Sequence, residues 1–161
     1  MTFTADTMFP GDLFDAASRF ATNAAAASGH ANARRSAWRE ALEMAWPALI
    51  VDEARGGVGG TLEDLGAVVE ACARHAAGLP LVRRCAQAPA LLMAANSQAA
   101  NDALRALCVG EIAVDVADGS GLELTPLPDG GVRLRGVLEQ VDAALPFTHV
   151  LVAAGEHVLL V

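Results

Sequence analysis

Apolar positions recur at spacings of three and four from Asp12 to about Ala27: Leu13, Phe14, Ala17, Phe20, Ala21 and Ala24. That period predicts an amphipathic helix with one buried face. Gly29 is its expected stop. A second helix fits Ala33 to Ala45, with Trp38, Leu42 and Ala45 on one face and Pro47 ending the pattern. Leu62, Leu65, Val68, Val69, Cys72 and Ala76 repeat helically, and Gly78 and Pro80 close that third helix. Leu81 to Ala95 and Ser97 to Cys108 complete the helical series, with Pro89 expected to kink or split the first of them. At Gly110 the texture changes. Ile112–Val116, Leu122–Leu127, Val132–Leu134, Val150–Ala153 and His157–Val161 are short Val- and Leu-rich runs. The turn stretches Asp118–Gly121 and Pro128–Gly131 are of hairpin grade. The fold class that follows is α+β: an N-terminal all-α helical bundle over residues 1–109, then a partial antiparallel β-domain over 110–161. The β portion is small for an independent core and stops on an apolar run, so further polypeptide, its own or a partner's, is expected over its edge.

Between the second and third helical patterns lie four glycines in five residues, Gly56, Gly57, Gly59 and Gly60. A dinucleotide-binding loop requires GxGxxG after a strand; counted from Gly57, the third glycine position holds Leu62. A P-loop requires a Gly-Lys pair, and the sequence contains no lysine. Thr61 stands three residues before Asp64, a capping-box spacing for a helix starting at Leu62. The cluster therefore reads as a bend between helices, with glycine supplying left-handed turns.

Trp38-x-x-x-Leu42, followed by "ALIVDEARGGVGGTLEDLGAVVEACARHAAGLPL", resembles the N-terminal helical domain of the acyl-CoA dehydrogenase family. Glu53, Gly56, Gly57, Gly59, Glu70 and Pro80 fall on the family pattern; Asp52 replaces its usual proline and Ala71 its second acidic residue. The resemblance continues through Leu107–Val114, Gly130–Gly136 and Phe147–Ala154, and so covers nearly the whole chain. It implies a flavoenzyme that oxidises an acyl-CoA thioester with FAD, works as a homo- or hetero-oligomer and takes part in lipid metabolism. It also implies that the catalytic base lies in a C-terminal helical domain beyond these residues, so no catalytic residue is assigned here.

On the resemblance, the cofactor candidates are Gly119, Ser120, Gln140 and Asp142. Gly119 and Ser120 keep part of the family's Gly-Ser-Asp element, and Gly121 stands at its acidic position. Gln140 occupies the place of an aromatic residue, and Asp142 that of a hydroxyl residue, both facing the flavin in the family. Loss of aromatic stacking weakens flavin affinity. A second reading follows from these departures: a non-catalytic relative that pairs with an active subunit.

Composition narrows the field. A net charge of −8 argues against a nucleic-acid partner. No apolar run reaches membrane-spanning length, and the N-terminal residues do not form a secretory signal. Cys72, Cys85 and Cys108 are odd in number without CxxC spacing, which points to reduced thiols in the cytoplasm. Cys72 and His75 share a helical face but have no second pair to complete a metal site. Arg34–Arg35 and Arg83–Arg84 read as solvated helix ends, with CoA phosphates as the functional alternative.

Overall fold

The structure, a computed structural model, describes residues 7–26, 32–95, 97–128, 131–139, 141–142, 144–154 and 157–161. Among these, α1 (Asp12–Ala26), α2 (Ala33–Glu43), α3 (Leu62–Arg74), α4 (Ala88–Ala95) and α5 (Gln98–Cys108) precede five strands. The strands are β1 (Val114–Asp118), β2 (Glu123–Pro126), β3 (Val132–Arg135), β4 (His149–Ala154) and β5 (His157–Leu160). The protein is α+β in class. The Gly29 stop signal lies outside the described residues.

α1, α2 and α3 bury most of the faces their periodicity marks, with two exceptions on α3: Leu62 in its first turn is 72% exposed, and Ala76 lies past its end in a left-handed turn (φ 53°). Ala17, Phe20 and Ala21 of α1 meet Trp38 and Ala41 of α2 and Leu65, Val68 and Ala71 of α3. Phe20 packs edge-on against Trp46 with ring centroids 4.7 Å apart, a geometry that adds to area burial. α2 stops at Glu43, and Ala45 turns left-handed (φ 55°) before a short 3-10 turn over Trp46–Ala48.

The glycine segment is a bend whose amides all point inward. Gly56 donates to the Glu53 carbonyl, Gly57 to Asp52, Gly59 to Val51 and Gly60 to Leu49. Gly56 and Gly59 adopt φ of 90° and 74°, where a side chain is strained. Their N–H groups are spent on the chain itself, so none is left to cradle a phosphate. The bend delivers the chain to α3, where the capping box forms as expected: the Asp64 amide donates to Thr61 Oγ1 (3.1 Å) and the Thr61 amide to Asp64 Oδ2 (2.7 Å).

The helix expected over Leu81–Ala95 is continuous but not uniform. Residues Val82–Gln87 open into a π-helical turn before α4 begins. Pro89 is the physical cause: it has no N–H to give to Cys85, and its ring would strike that carbonyl in an α-helix.

Two small sheets follow. The first has the order β1-β4-β5, the second pairs β2 with β3. β1 runs parallel to β4, Val114 opposite His149 and Asp118 opposite Ala153, a departure from an all-antiparallel layer. A parallel pair needs a long crossover, and residues 119–148, which carry the β2–β3 hairpin, supply it. Consequently the Asp118–Gly121 turn does not close a hairpin; it carries the chain from one sheet to the other. The second turn stretch does join the paired strands β2 and β3, although Asp129 and Gly130 lie outside the described residues. β4 is the central strand and is buried on both faces. Leu151 packs with Leu92, Leu104, Leu107 and Val114, while Val150 and Val152 pack on the other side. The loop before β4 also enters the helical core through Leu145.

Candidate functional site

A groove of about 620 Å³ opens where α4 faces the sheet. Gln87, Ala90, Leu91 and Ala94 line one wall; their spacing of three, one and three residues puts them on a single helical face. Val116, Ala117 and Asp118 of β1 and Ala153 of β4 line the other. The space exists because four of these positions are alanine, too small to fill it. Its size falls in the range of about 300–1,000 Å³ usual for small-molecule sites, and its walls are chiefly apolar. A second cavity, about 390 Å³, lies under residues 8–14.

Arg83 lines one end of the groove, next to a buried ionic cluster. Arg84 is 1% exposed and Asp115 fully buried, with Arg84 Nη2 3.0 Å from Asp115 Oδ2. Arg84 also donates to the carbonyl of Pro146 (2.9 Å) and more distantly to those of Leu145 and Asp142. Its guanidinium stacks over Trp38, 5.2 Å from the ring centre. Asp115 accepts further from the amides of Val116 and Asp142. The reading of Arg83–Arg84 as solvated helix ends is therefore corrected for Arg84. In the π-helical turn both neighbours reach inward to one carboxylate, and Asp115 on β1 supplies the charge that makes burial tolerable.

Gly119, Ser120 and Asp142 are not gathered into one open site. Ser120 gives its amide to Asp118 Oδ1 (2.8 Å) and its hydroxyl to Asp118 Oδ2 (3.1 Å), closing a turn on its own neighbour. Gly119 donates to the Ala153 carbonyl (2.8 Å) and lies so close to β4 that a Cβ would come within 2.9 Å of that oxygen. Asp142 is held by a two-pronged ion pair with Arg34 and accepts the Ala144 amide. Gln140 lies outside the described residues. The donor groups of Gly119 and Ser120 and the carboxylate of Asp142 are thus engaged within the chain, and this set does not fit as a ready-made flavin contact. Arg34, expected as a solvated end, instead ties α2 to the loop before β4; Arg35 donates to the Ala144 carbonyl.

The remaining candidates disperse. Cys72 is buried in the helical core, while His75 caps α3 near Thr22. Burial pushes the Cys72 thiol up to about 11 and raises Cys85 further still. No helix among the described residues is long and apolar enough to cross a membrane.

The family described as "Acyl-CoA dehydrogenase, N-terminal domain" matches residues 12–111, which takes in every helix and the bend. The chain belongs to the acyl-CoA dehydrogenase family. Among solved structures, a variant of the Tcur3481-Tcur3483 steroid ACAD is similar to it over 92% of the present chain, at 23% identity and a TM-score of 0.62. At that identity the likeness speaks for the fold. The chain spans about half, 47%, of the length of that structure. No curated protein is matched by sequence.

The groove residues Gln87, Ala90, Leu91, Ala94, Val116 and Ala153 were not singled out from the sequence. Two signals were present: the single-face spacing on α4, and Asp115, a lone charge inside the apolar run Ile112–Ala117.

Proposed function

We propose that the chain is part of a flavin-dependent acyl-CoA dehydrogenase-type oxidoreductase and that its groove receives the acyl portion of a CoA thioester. The observation that carries this reading is the apolar cleft between α4 and β1 in a chain of this family. The protein divides at Gly110 into a helical part, 1–109, and a β part, 110–161. The cleft lies at their junction, where substrate contacts both.

The chain's own residues would bind and exclude water rather than perform the chemistry. Leu91 and Val116 offer apolar surface, and the alanines offer room. Among the described residues Asp118 is the sole carboxylate lining the groove, and both its oxygens are committed to Ser120. It is not placed as a free proton acceptor. FAD would supply the acceptor for the substrate's hydride. Ser120 and Asp142, already engaged within the chain, would not be among its contacts.

That same engagement favours the second reading, a non-catalytic subunit that binds acyl-CoA beside an active partner, homo- or hetero-oligomeric. The three free cysteines support a reducing, cytoplasmic setting for either. Titrating the full chain with FAD and with octanoyl-CoA separates the readings. Flavin retained on the purified chain, with its absorbance perturbed by the thioester, favours the oxidoreductase; thioester binding without flavin favours the subunit. Binding of neither would remove both.

A further inference from the structure

The groove has chemically distinct ends. Ala90, Leu91, Ala94 and Val116 make its apolar length, and Arg83 and Gln87 stand together at one end. Asp118 lies three residues along β1 from Asp115, roughly 10 Å by strand rise. Separation on that scale, about one Debye length, weakens its charge at the Arg83 end.

The charge balance at the Arg83 end is unequal. Arg83 and Arg84 converge on one carboxylate, Asp115, with Arg83 Nε 3.5 Å from Oδ1 and Arg84 Nη2 3.0 Å from Oδ2. Arg84 is consumed there, since it also serves backbone carbonyls and stacks on Trp38. Asp115 has no accepting capacity to spare, because the amides of Val116 and Asp142 bind it as well. Two cations facing one anion leave a net positive charge. Arg83 is the cation with access to the groove: its side chain is 27% exposed, and its terminal nitrogens make no hydrogen bond among the described residues. A structural clamp on Asp115 needs only Arg84. A second guanidinium at the mouth of an apolar cleft, with donors in a fork that suits carboxylate or phosphate, is arranged for a ligand.

We infer that Arg83, assisted by Gln87, reads an oxyanion on a ligand whose apolar part lies along α4, so that this groove selects anionic-ended over neutral-ended chains. This rests on the groove being the acyl site. The anion has two possible sources, a carboxylate at the far end of the acyl chain or a phosphate of CoA.

The test is calorimetric titration of the full chain, wild type, Arg83→Gln and Arg83→Lys, with circular dichroism to confirm folding. Octanoate and 1-octanol are the first pair of probes. Wild type is expected to prefer octanoate by about tenfold or more, as for a charged hydrogen bond in a partly dry site. Arg83→Gln should abolish that preference while leaving 1-octanol unchanged, and Arg83→Lys should restore part of it. Equal binding of the two probes, binding of neither, or a preference that survives Arg83→Gln overturns the inference. The second set is suberoyl-CoA, octanoyl-CoA and free CoA. Selective loss of suberoyl-CoA in Arg83→Gln places the anion at the chain end; equal loss of all three places a phosphate there. An octanoate preference with no thioester bound upholds Arg83 as the anion reader and defeats the acyl-CoA reading.

Discussion

Replacing Arg84 by Met tests how the helices are fixed to the β-layer. Arg84 is the largest fully buried side chain, and its guanidinium holds Asp115 at 3.0 Å, the Pro146 carbonyl at 2.9 Å and the Trp38 ring at 5.2 Å. Methionine keeps most of the volume and removes every one of those polar contacts. Asp115 would remain buried with Arg83 at 3.5 Å and two backbone amides. Breaking a buried pair by removing one partner costs about 3–5 kcal/mol. In a domain of this size that corresponds to a fall in Tm of roughly 6–20 °C. Because Arg83 partly compensates, the lower end of the range is expected. The double variant Arg84→Met with Asp115→Leu removes the stranded charge and should recover most of the loss, as apolar replacements of buried pairs do. Urea and thermal unfolding of the wild type, both single variants and the double variant give the coupling directly. A loss below about 1 kcal/mol in Arg84→Met, or simple additivity in the double variant, would refute the view that this pair is desolvated and shared between the layers.

Three further outcomes follow from the helical half. Gly57→Ala should destabilise by about 1–3 kcal/mol or prevent folding, because its Cβ would collide with the Val51 carbonyl oxygen, backbone that cannot move aside; chemical denaturation measures it. Thr61→Ala should cost about 1 kcal/mol through loss of the capping box. Hydrogen bonds from Thr61 hold the Asp64 carboxyl below its ordinary value, so the contribution is complete above the unfolded-state pKa and is lost as pH falls through the lowered one. Thr61→Ala keeps the backbone amide that lowers Asp64 most and removes the hydroxyl's bond to the carboxylate, so thermal melts of wild type and variant at neutral and acidic pH should show the gap narrowing in acid without vanishing. Burial raises all three thiols, Cys72 to about 11 and Cys108 less deeply. Iodoacetamide at neutral pH should therefore label the half-buried Cys108 first and the other two only on unfolding, as read by mass spectrometry.

The helical half was legible because its signals are local. A period of three and four residues marks the faces of α1, α2 and α3, and the Thr61–Asp64 spacing fixes one helix start to the residue. The glycine bend was legible by elimination, since each nucleotide motif lacked a required residue. Less could be read where partners are distant in sequence. The parallel pairing of β1 with β4 depends on a crossover of some thirty residues, and nothing in either strand announces its direction. Arg84 reads as an ordinary helix arginine until Asp115, thirty-one residues on, is brought beneath it. The groove was hidden for the same reason: alanines at 90, 94, 117 and 153 are unremarkable singly and make a cavity only when two layers meet. Ser120 and Asp142 stand out only by resemblance, and their commitments to Asp118 and Arg34 are contacts that no family pattern describes.

The most direct measurement is a heteronuclear NMR titration of the isotope-labelled full chain with octanoyl-CoA. Shifts concentrated at Gln87, Ala90, Leu91, Ala94, Val116 and Ala117 are the result predicted for an acyl group lying between α4 and β1. Shifts centred on residues 56–60, or none at saturating thioester, would contradict it.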